Sequence, residues 1–126
     1  MLRRCEAYAQ AGADIVFPEA LQTDAEMRKA CDVLDKPVMA NMADGGQTPI
    51  RSAAELQDIG FSCAIFPAMT SLAAAAAVES ALINLQRTGT SLSPAVPLYD
   101  FQEFCSLIGF EEVWAFERRW AAPQTN

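Results

Sequence analysis

Short apolar runs alternate along the chain with segments that have the periodicity of helices. The apolar runs cover residues 14–17, 36–41 and 62–68, and the helical segments cover residues 2–13, 23–35, 52–60 and 70–89. Apolar runs of this length are typical of strands buried on both faces of a sheet. Because a helix separates each strand from the next, the pattern predicts an α/β fold with a parallel sheet and right-handed crossover connections.

Local signals at the ends of the helical segments agree with this assignment. Thr23 with Glu26, and again Ser52 with Glu55, have the spacing of a capping box, in which two side chains satisfy free amides at a helix N-terminus. Glycines suited to ending a helix follow or close three of the segments; they are Gly12, Gly60 and Gly89. The pattern therefore predicts where the helices begin and end as well as their order.

After residue 90 the character of the sequence changes. Residues 88–96 predict a loop, and residues 97–120 predict two short helices separated at Gly109. This segment is rich in rings, which are Tyr99, Phe101, Phe104, Phe110, Trp114, Phe116 and Trp120. Such rings need an apolar surface, either the end of the same domain or a neighbouring subunit. We therefore expect residues 1–90 to form one domain, a helix and three βα units, and residues 91–126 to form a C-terminal loop with aromatic-rich helices.

Composition narrows the possible partners. The 126 residues are 52% hydrophobic and 20% charged, which suits one globular core. The net charge of -7 disfavours nucleic acid and anionic membrane surfaces, because both bind through Lys and Arg side chains. No apolar run approaches the length of a membrane helix, and the N-terminal residues do not resemble a secretion signal, so we expect a cytoplasmic protein.

The supply of reactive side chains limits the chemistry further. The chain has no histidine, which excludes Ser-His-Asp and Cys-His catalysis within it. Its four cysteines form no C-x-x-C motif, which argues against a zinc knuckle or a dithiol redox site and favours reduced, mostly buried thiols. Any chemistry must therefore use carboxylates, amides, hydroxyls, the backbone or an external metal.

Polar side chains follow the first two predicted strands at their carboxyl ends. Glu19 comes after Pro18, and Asn41 ends the second strand. Ligands of parallel α/β folds bind at these ends, and adjacent strands place two such side chains about 5 Å apart. A carboxylate beside an amide suits a hydroxyl, a carboxylate or a metal-bound water. Alternatively, Glu19 caps a helix or faces solvent, Asn41 is a turn former, and residues 44–46 (Asp-Gly-Gly) are a turn, a hinge or a cradle of backbone amides.

Three segments that contain these residues resemble the isocitrate lyase/phosphoenolpyruvate mutase superfamily. They are RCEAYAQAGADIVFPEA at 4–20, KPVMANMADGGQTP at 36–49 and ELQDIGFSCAIFPAMTSLAAA at 55–75. The combination of AGAD-x-x-FPEA with a following P-x-x-AN is the specific part. The likeness runs from about residue 3 to residue 90 and is greatest to the methylisocitrate lyase, oxaloacetate decarboxylase and carboxyphosphonoenolpyruvate phosphonomutase branches.

This resemblance implies a fold, a cofactor and a set of site residues. It implies the C-terminal part, the last three strands, of a (β/α)8 barrel with its C-terminal helices, and a parent enzyme that uses Mg²⁺ to make or break a C–C or P–C bond in a small 2-oxo or 2-hydroxy carboxylic acid. Among the substrate-binding residues it implies, Asn41, Met42 and Ala43 would contact the substrate carboxylate, and Glu19 would either hold metal-bound water or contact the substrate itself. It places no catalytic residue and no direct metal ligand in this chain.

The resemblance also implies what the chain lacks. The family's magnesium-binding aspartates, catalytic cysteine loop and strand-five arginine lie on earlier strands, so we expect a fragment that is inactive alone and associates with itself or with a separate N-terminal half. Where methylisocitrate lyases carry an arginine, this chain has Leu72, which favours a smaller or less charged substrate. The alternatives are a complete, non-catalytic α/β module that binds a ligand or partner, and a scaffolding fragment that assembles with such a half.

Overall fold

The computed structural model describes residues 1–93 and 96–121 of the chain. Its helices are α1 (Leu2–Gln10), α2 (Asp24–Val33), α3 (Ala53–Ile59), α4 (Met69–Thr88), α5 (Phe101–Leu107) and α6 (Phe110–Trp120). Its strands are β1 (Met39–Asn41) and β2 (Cys63–Ile65). The predicted alternation of helices and apolar segments is therefore present, with shorter strands than the sequence indicated.

The sheet is parallel, as predicted. Met39 pairs with Cys63, Ala40 with Ala64 and Asn41 with Ile65. The first apolar run, residues 14–17, pairs through a single parallel bridge between Val16 and Val38, the residue before β1, rather than as a full strand.

A proline limits the pairing near one end of each of the three segments. Pro18 follows the bridge, Pro37 precedes β1 and Pro67 follows β2, and a proline has no N–H to extend a ladder. The carbonyl of Pro37 still accepts a bond from the Val16 N–H at 2.9 Å, and the Met39 N–H donates to Val16 at 3.0 Å. Among the described residues, these two hydrogen bonds are all the sheet pairing that the first predicted strand makes.

The helix ends follow the sequence signals closely. Ser52 forms a reciprocal capping box with Glu55, and Gly60 ends α3 in the left-handed conformation at φ 117°. Thr23 caps α2 by accepting from the Glu26 N–H, but the Glu26 carboxylate reaches the N–H of Gln22 at 2.7 Å instead of that of Thr23. In the predicted capping box of α2, the bond to the Glu26 carboxylate is thus shifted by one residue, from Thr23 to Gln22.

The chain divides into two compact units, Met1–Ala76 and Ala77–Asn126. The first unit holds a continuous core from the helices and from one face of the sheet; its buried members include Val16, Met27, Ala30, Val38, Ala40, Met42, Leu56, Ile59 and Phe61. The opposite face is not covered, since Ile15, Phe17 and Ile65 are 39–47% exposed. The first unit therefore has one packed sheet face and one open apolar face.

The second unit contains most of α4 and both short helices of the tail. Asp100 caps α5 through bonds from the N–H groups of Gln102 and Glu103, and Gly109 separates α5 from α6 at φ 86°, as predicted. Rings pair along the chain within this unit, with Phe110 and Trp114 centroids 6.1 Å apart in an edge arrangement. Whether the domain boundary lies at residue 90 stays a prediction. Among the described helices, none is both long and apolar enough to cross a membrane.

Candidate functional site

Glu19 lies in a tight turn directly beyond the first apolar run. Pro18 before it is buried, whereas Glu19 itself is exposed. Ala20 after it has a positive φ of 60°, a conformation that costs a non-glycine residue about 1–2 kcal/mol. Strained backbone of this kind persists only where the surroundings hold it in place, and it is concentrated at functional sites. The left-handed conformation of Ala20 sets the direction in which the chain leaves Glu19.

Asn41 ends β1 and faces Glu19, as the sequence predicted. Its Nδ2 donates to Glu19 Oε2 at 3.3 Å. This bond sets the orientation of the amide, because the reverse orientation would bring Oδ1 against a carboxylate oxygen. The other end of the amide, Oδ1, is buried and has no hydrogen-bond partner. A buried unsatisfied acceptor costs about 1–3 kcal/mol, so the pairing of Asn41 with Glu19 is kept at a cost in stability.

Met42 and Ala43 continue from Asn41 in different environments. Met42 is fully buried; its N–H donates to the Ile65 carbonyl at 2.9 Å, and its sulfur accepts from the Arg51 N–H at 3.3 Å. Its side chain belongs to the core, so only its backbone is placed to meet a ligand. Ala43 is half-buried, and its carbonyl accepts from the Gly46 N–H at 3.0 Å. The roles of Glu19, Asn41, Met42 and Ala43 in binding a substrate stay predictions.

The Asp44-Gly45-Gly46 segment is a turn, the first of its three sequence interpretations. Gly45 has φ 79°, which favours glycine, and the turn is closed by the bond between Gly46 and Ala43. We call residues 42–51, which contain this turn and connect β1 to the start of α3, the site loop.

Two side-chain links fasten the site loop to the segment that follows Glu19. Gln22 Nε2 donates to Gln47 Oε1 at 3.0 Å. Arg51 contacts Asp24, the first residue of α2, at 2.9 Å from Nη2 and 3.1 Å from Nε. Sequence reasoning missed Gln22, Gln47 and Arg51, because each partner lies about 25 residues away and neither pair forms a motif.

Two open cavities adjoin Glu19. The larger, about 660 Å³, is lined by Glu19, Ala20, Gln22 and Glu26 with the cationic side chains of Arg3 and Lys29. The smaller, about 420 Å³, is also lined by Glu19 and Ala20, together with Phe17, Tyr8 and Cys5. Their sizes fall in the range of small-molecule sites. Glu19 is thus accessible from two directions, while Asn41 lines neither cavity.

The described residues do not supply a direct metal site or an activated thiol. No group of three Asp, Glu, Cys or His side chains among residues 1–93 and 96–121 lies close enough to hold an ion. The exposed Glu19 carboxylate offers oxygen acceptors that suit metal-bound waters instead. All four cysteines are free, and burial, aided by Asp32, raises the pKa of the Cys31 thiol, which lowers its reactivity.

Comparison with known proteins identifies the family. The model of the phosphoenolpyruvate phosphomutase family matches residues 1–86. The chain belongs to this family, within the isocitrate lyase/phosphoenolpyruvate mutase superfamily. It is 43% identical over 86 residues to the 2-methylisocitrate lyase of Bacillus subtilis, a match that covers 68% of this chain and 28% of the relative. It is 32% identical over 120 residues to the 2,3-dimethylmalate lyase of Eubacterium barkeri, with coverage of 95% and 42%.

The fold is similar to that of solved members of the superfamily. The crystal structure of a 2,3-dimethylmalate lyase, a PEP mutase/isocitrate lyase superfamily member, superposes with a TM-score of 0.80 at 30% identity, covering 94% of this chain and 41% of that one. This likeness supports the predicted fold of part of a barrel, while the expected number of three strands is unconfirmed because residues 14–17 pair only at Val16. The chain spans less than half the length of each of these relatives.

Proposed function

We propose that this chain supplies one portion of the active site of a lyase or mutase that acts on a small carboxylic acid bearing a hydroxyl or oxo group. The observation that carries the proposal is the Glu19–Asn41 pair, with Nδ2 of Asn41 bonded to the carboxylate and Oδ1 buried and unpartnered. Family membership supports the reaction class, since the relatives named above are a methylisocitrate lyase and a dimethylmalate lyase.

The surroundings of Asn41 limit its role. Its donor group is used by Glu19, its oxygen is buried, and it lines neither cavity beside Glu19. We therefore assign Asn41 to holding the Glu19 carboxylate in position. We assign the exposed Glu19 carboxylate to accepting a hydrogen bond from a substrate hydroxyl or a metal-bound water, because a carboxylate attracts an O–H group and repels another carboxylate.

Magnesium enters this proposal only through water. The described residues do not form a direct Mg²⁺ site, so in the complete catalytic unit the ligands of the ion would come from another polypeptide segment. When bound, the ion would polarise the oxo or hydroxyl oxygen of the acid. The role of Glu19 is then to accept hydrogen bonds from the waters of the ion and to keep their orientation fixed.

We also propose that the chain is inactive alone. It spans 28–42% of the length of the two curated relatives, and one sheet face is left with exposed Ile15, Phe17 and Ile65. Parallel sheets normally have both faces covered, so we expect other polypeptide to bury this face. The completing polypeptide is either a separate N-terminal half or a second subunit. A non-catalytic α/β binding module remains the second candidate, favoured only by the same open apolar face.

A chimaera tests the proposal directly. This chain replaces the segment that it matches in the 2,3-dimethylmalate lyase of Eubacterium barkeri, and cleavage of 2,3-dimethylmalate is measured with and without Mg²⁺. We expect the chimaera to be active and the chain alone to be inactive. Glu19→Gln and Asn41→Asp in the chimaera should each lower kcat/KM about ten- to hundredfold, the value of a hydrogen bond to a charged group.

The matched control is Glu6→Gln, which removes the same charge from an exposed position on α1. It should leave kcat/KM unchanged. A folded chimaera in which the Glu19 and Glu6 variants behave alike would contradict the assignment of Glu19. A chain that turns over the acid without any other polypeptide would contradict the proposed division of the active site.

A further inference from the structure

The site loop contains an Asp-Gly sequence, which can undergo a backbone reaction that is unrelated to catalysis. Asp44 is followed by Gly45, and it is the only aspartate in the chain that precedes a glycine. The other aspartates precede residues with side chains; they are Asp14, Asp24, Asp32, Asp35, Asp58 and Asp100. An aspartate side chain can be attacked by the backbone nitrogen of the next residue, and a following glycine offers no Cβ to obstruct that approach.

The local structure leaves this attack unhindered. Asp44, Gly45 and Gly46 are exposed, and a Cβ built on Gly45 would meet no atom within 4 Å, so the peptide has room to rotate. Within residues 43–50, all of which the structure describes, the single backbone–backbone hydrogen bond is that from Gly46 to Ala43. A turn held by one exposed bond opens at little cost in free energy. The Gly45 N–H donates to no acceptor among the described residues.

We propose that Asp44–Gly45 is a site of spontaneous isoaspartate formation in the native protein. The nitrogen of Gly45 attacks Cγ of Asp44, a C–N bond forms, and one water is lost from the carboxyl group and the amide. Water then adds to either carbonyl of the resulting succinimide. Cleavage at Cγ restores aspartate, whereas cleavage at the original backbone carbonyl leaves the chain connected through the former side chain. Solvent water is the only co-reactant, and nothing is oxidised or reduced.

The product differs from aspartate between two points at which the site loop is fixed. Its main chain is longer by one methylene between Ala43 and Gly46, so the bond between them can no longer close the same turn. The loop is fixed on either side of this point, by Met42 in the core and by the Gln22–Gln47 contact. The added length must therefore displace Ala43 or break the Gln47 contact.

Mass spectrometry of aged protein tests the modification without reference to activity. The native chain is held at neutral pH and 37 °C in ¹⁸O-labelled water, then digested and fragmented by a method that distinguishes isoaspartate. We expect label and isoaspartate at Asp44 and at none of the other aspartates. The rate in the native protein should be within about tenfold of that in a synthetic peptide of residues 39–51, because the turn opens easily.

Two variants make the outcome decisive. Asp44→Glu keeps the charge but would need a larger ring, so it should abolish the signal, while Asp14→Glu should leave it intact. Isoaspartate that accumulates equally at the other aspartates overturns the proposal. A native rate more than about tenfold below the peptide rate also overturns it, because the fold would then protect the turn.

Discussion

The two compact units of this chain are built from equally clear local signals but differ in what they bury. The first unit, Met1–Ala76, contains every residue of the continuous core. In the second unit, Ala77–Asn126, the described residues include one buried side chain, Cys105, while Phe101, Phe116 and Trp120 are 64–72% exposed. Caps and periodicity are sufficient to define helices in both units. Only the first unit adds the burial that makes the free energy of unfolding large.

The largest expected difference in the free energy of unfolding is between truncation of a buried side chain in the first unit and truncation of an exposed ring in the second. Met27 is completely buried, so Met27→Ala should lower the free energy of unfolding by about 2–5 kcal/mol. Phe116 is 64% exposed, so Phe116→Ala should change it by less than about 0.5 kcal/mol. Urea unfolding followed by circular dichroism measures both. Equal losses would break the comparison and would indicate that an associated chain buries the rings of the second unit.

Alanine substitutions at two glycines separate the cost of backbone strain from the cost of close packing. Gly60 and Gly109 have left-handed φ values of 117° and 86°, so alanine is strained at both. A Cβ at Gly60 would lie 3.0 Å from Cys31 Cβ, whereas one at Gly109 would meet nothing within 4 Å. Gly109→Ala should therefore cost about 1–2 kcal/mol from strain alone, and Gly60→Ala more than that.

Unfolding by urea, with Gly109→Ala as the control, isolates the packing contribution. If Gly60→Ala were no more destabilising, Cys31 must move aside freely, and the packing of α2 on α3 would be looser than the buried residues suggest. A Gly60→Ala, Cys31→Gly double variant, compared with Cys31→Gly alone, sharpens the result, because it removes the Cβ that the new methyl group meets and should recover most of the excess cost.

The helix caps provide a smaller effect that distinguishes the units in another way. Ser52 caps α3 in the first unit and Asp100 caps α5 in the second. Ser52→Ala should lower the free energy of unfolding by about 1 kcal/mol, the usual value of an N-cap. Asp100→Ala should reduce helix content by circular dichroism without moving the urea midpoint, since α5 contributes little to the buried core. A shift of that midpoint as large as that for Ser52→Ala would contradict this distinction.

The features that the sequence predicted correctly depend mainly on residues close together in the chain. Periodicity, capping residues and glycines depend on neighbours in the chain, and they predicted the parallel order, the α3 capping box and the break at Gly109. The proximity of Glu19 and Asn41 followed from the rule that parallel strands end at one edge of a sheet. Here the local pattern and the tertiary structure agree.

What the sequence did not predict depends on contacts between distant residues. No local pattern indicated that Met42 lies in the core while Asn41 before it keeps an unpaired oxygen. The Gln22–Gln47 and Arg51–Asp24 contacts join loops that are separate in sequence. A candidate site could therefore be placed from sequence, but its hydrogen-bond polarity could not.

The smallest expected effect is the pH dependence of the α3 cap. Hydrogen bonds from the Ser52 side chain and backbone hold the pKa of Glu55 below its ordinary value of 4.5. Because the pKa is lower in the folded chain, the contribution of Glu55 is fully present above pH 4.5 and is lost as pH falls through the folded value. Glu55→Gln should therefore flatten this part of the stability profile, measured by urea unfolding between neutral and acidic pH.

Glu6→Gln, on the exposed surface of α1, is the control that should leave the slope unchanged. Since Glu55 is itself exposed, salt should weaken the effect, and an equal slope in both variants would mean that the cap contributes through its geometry alone.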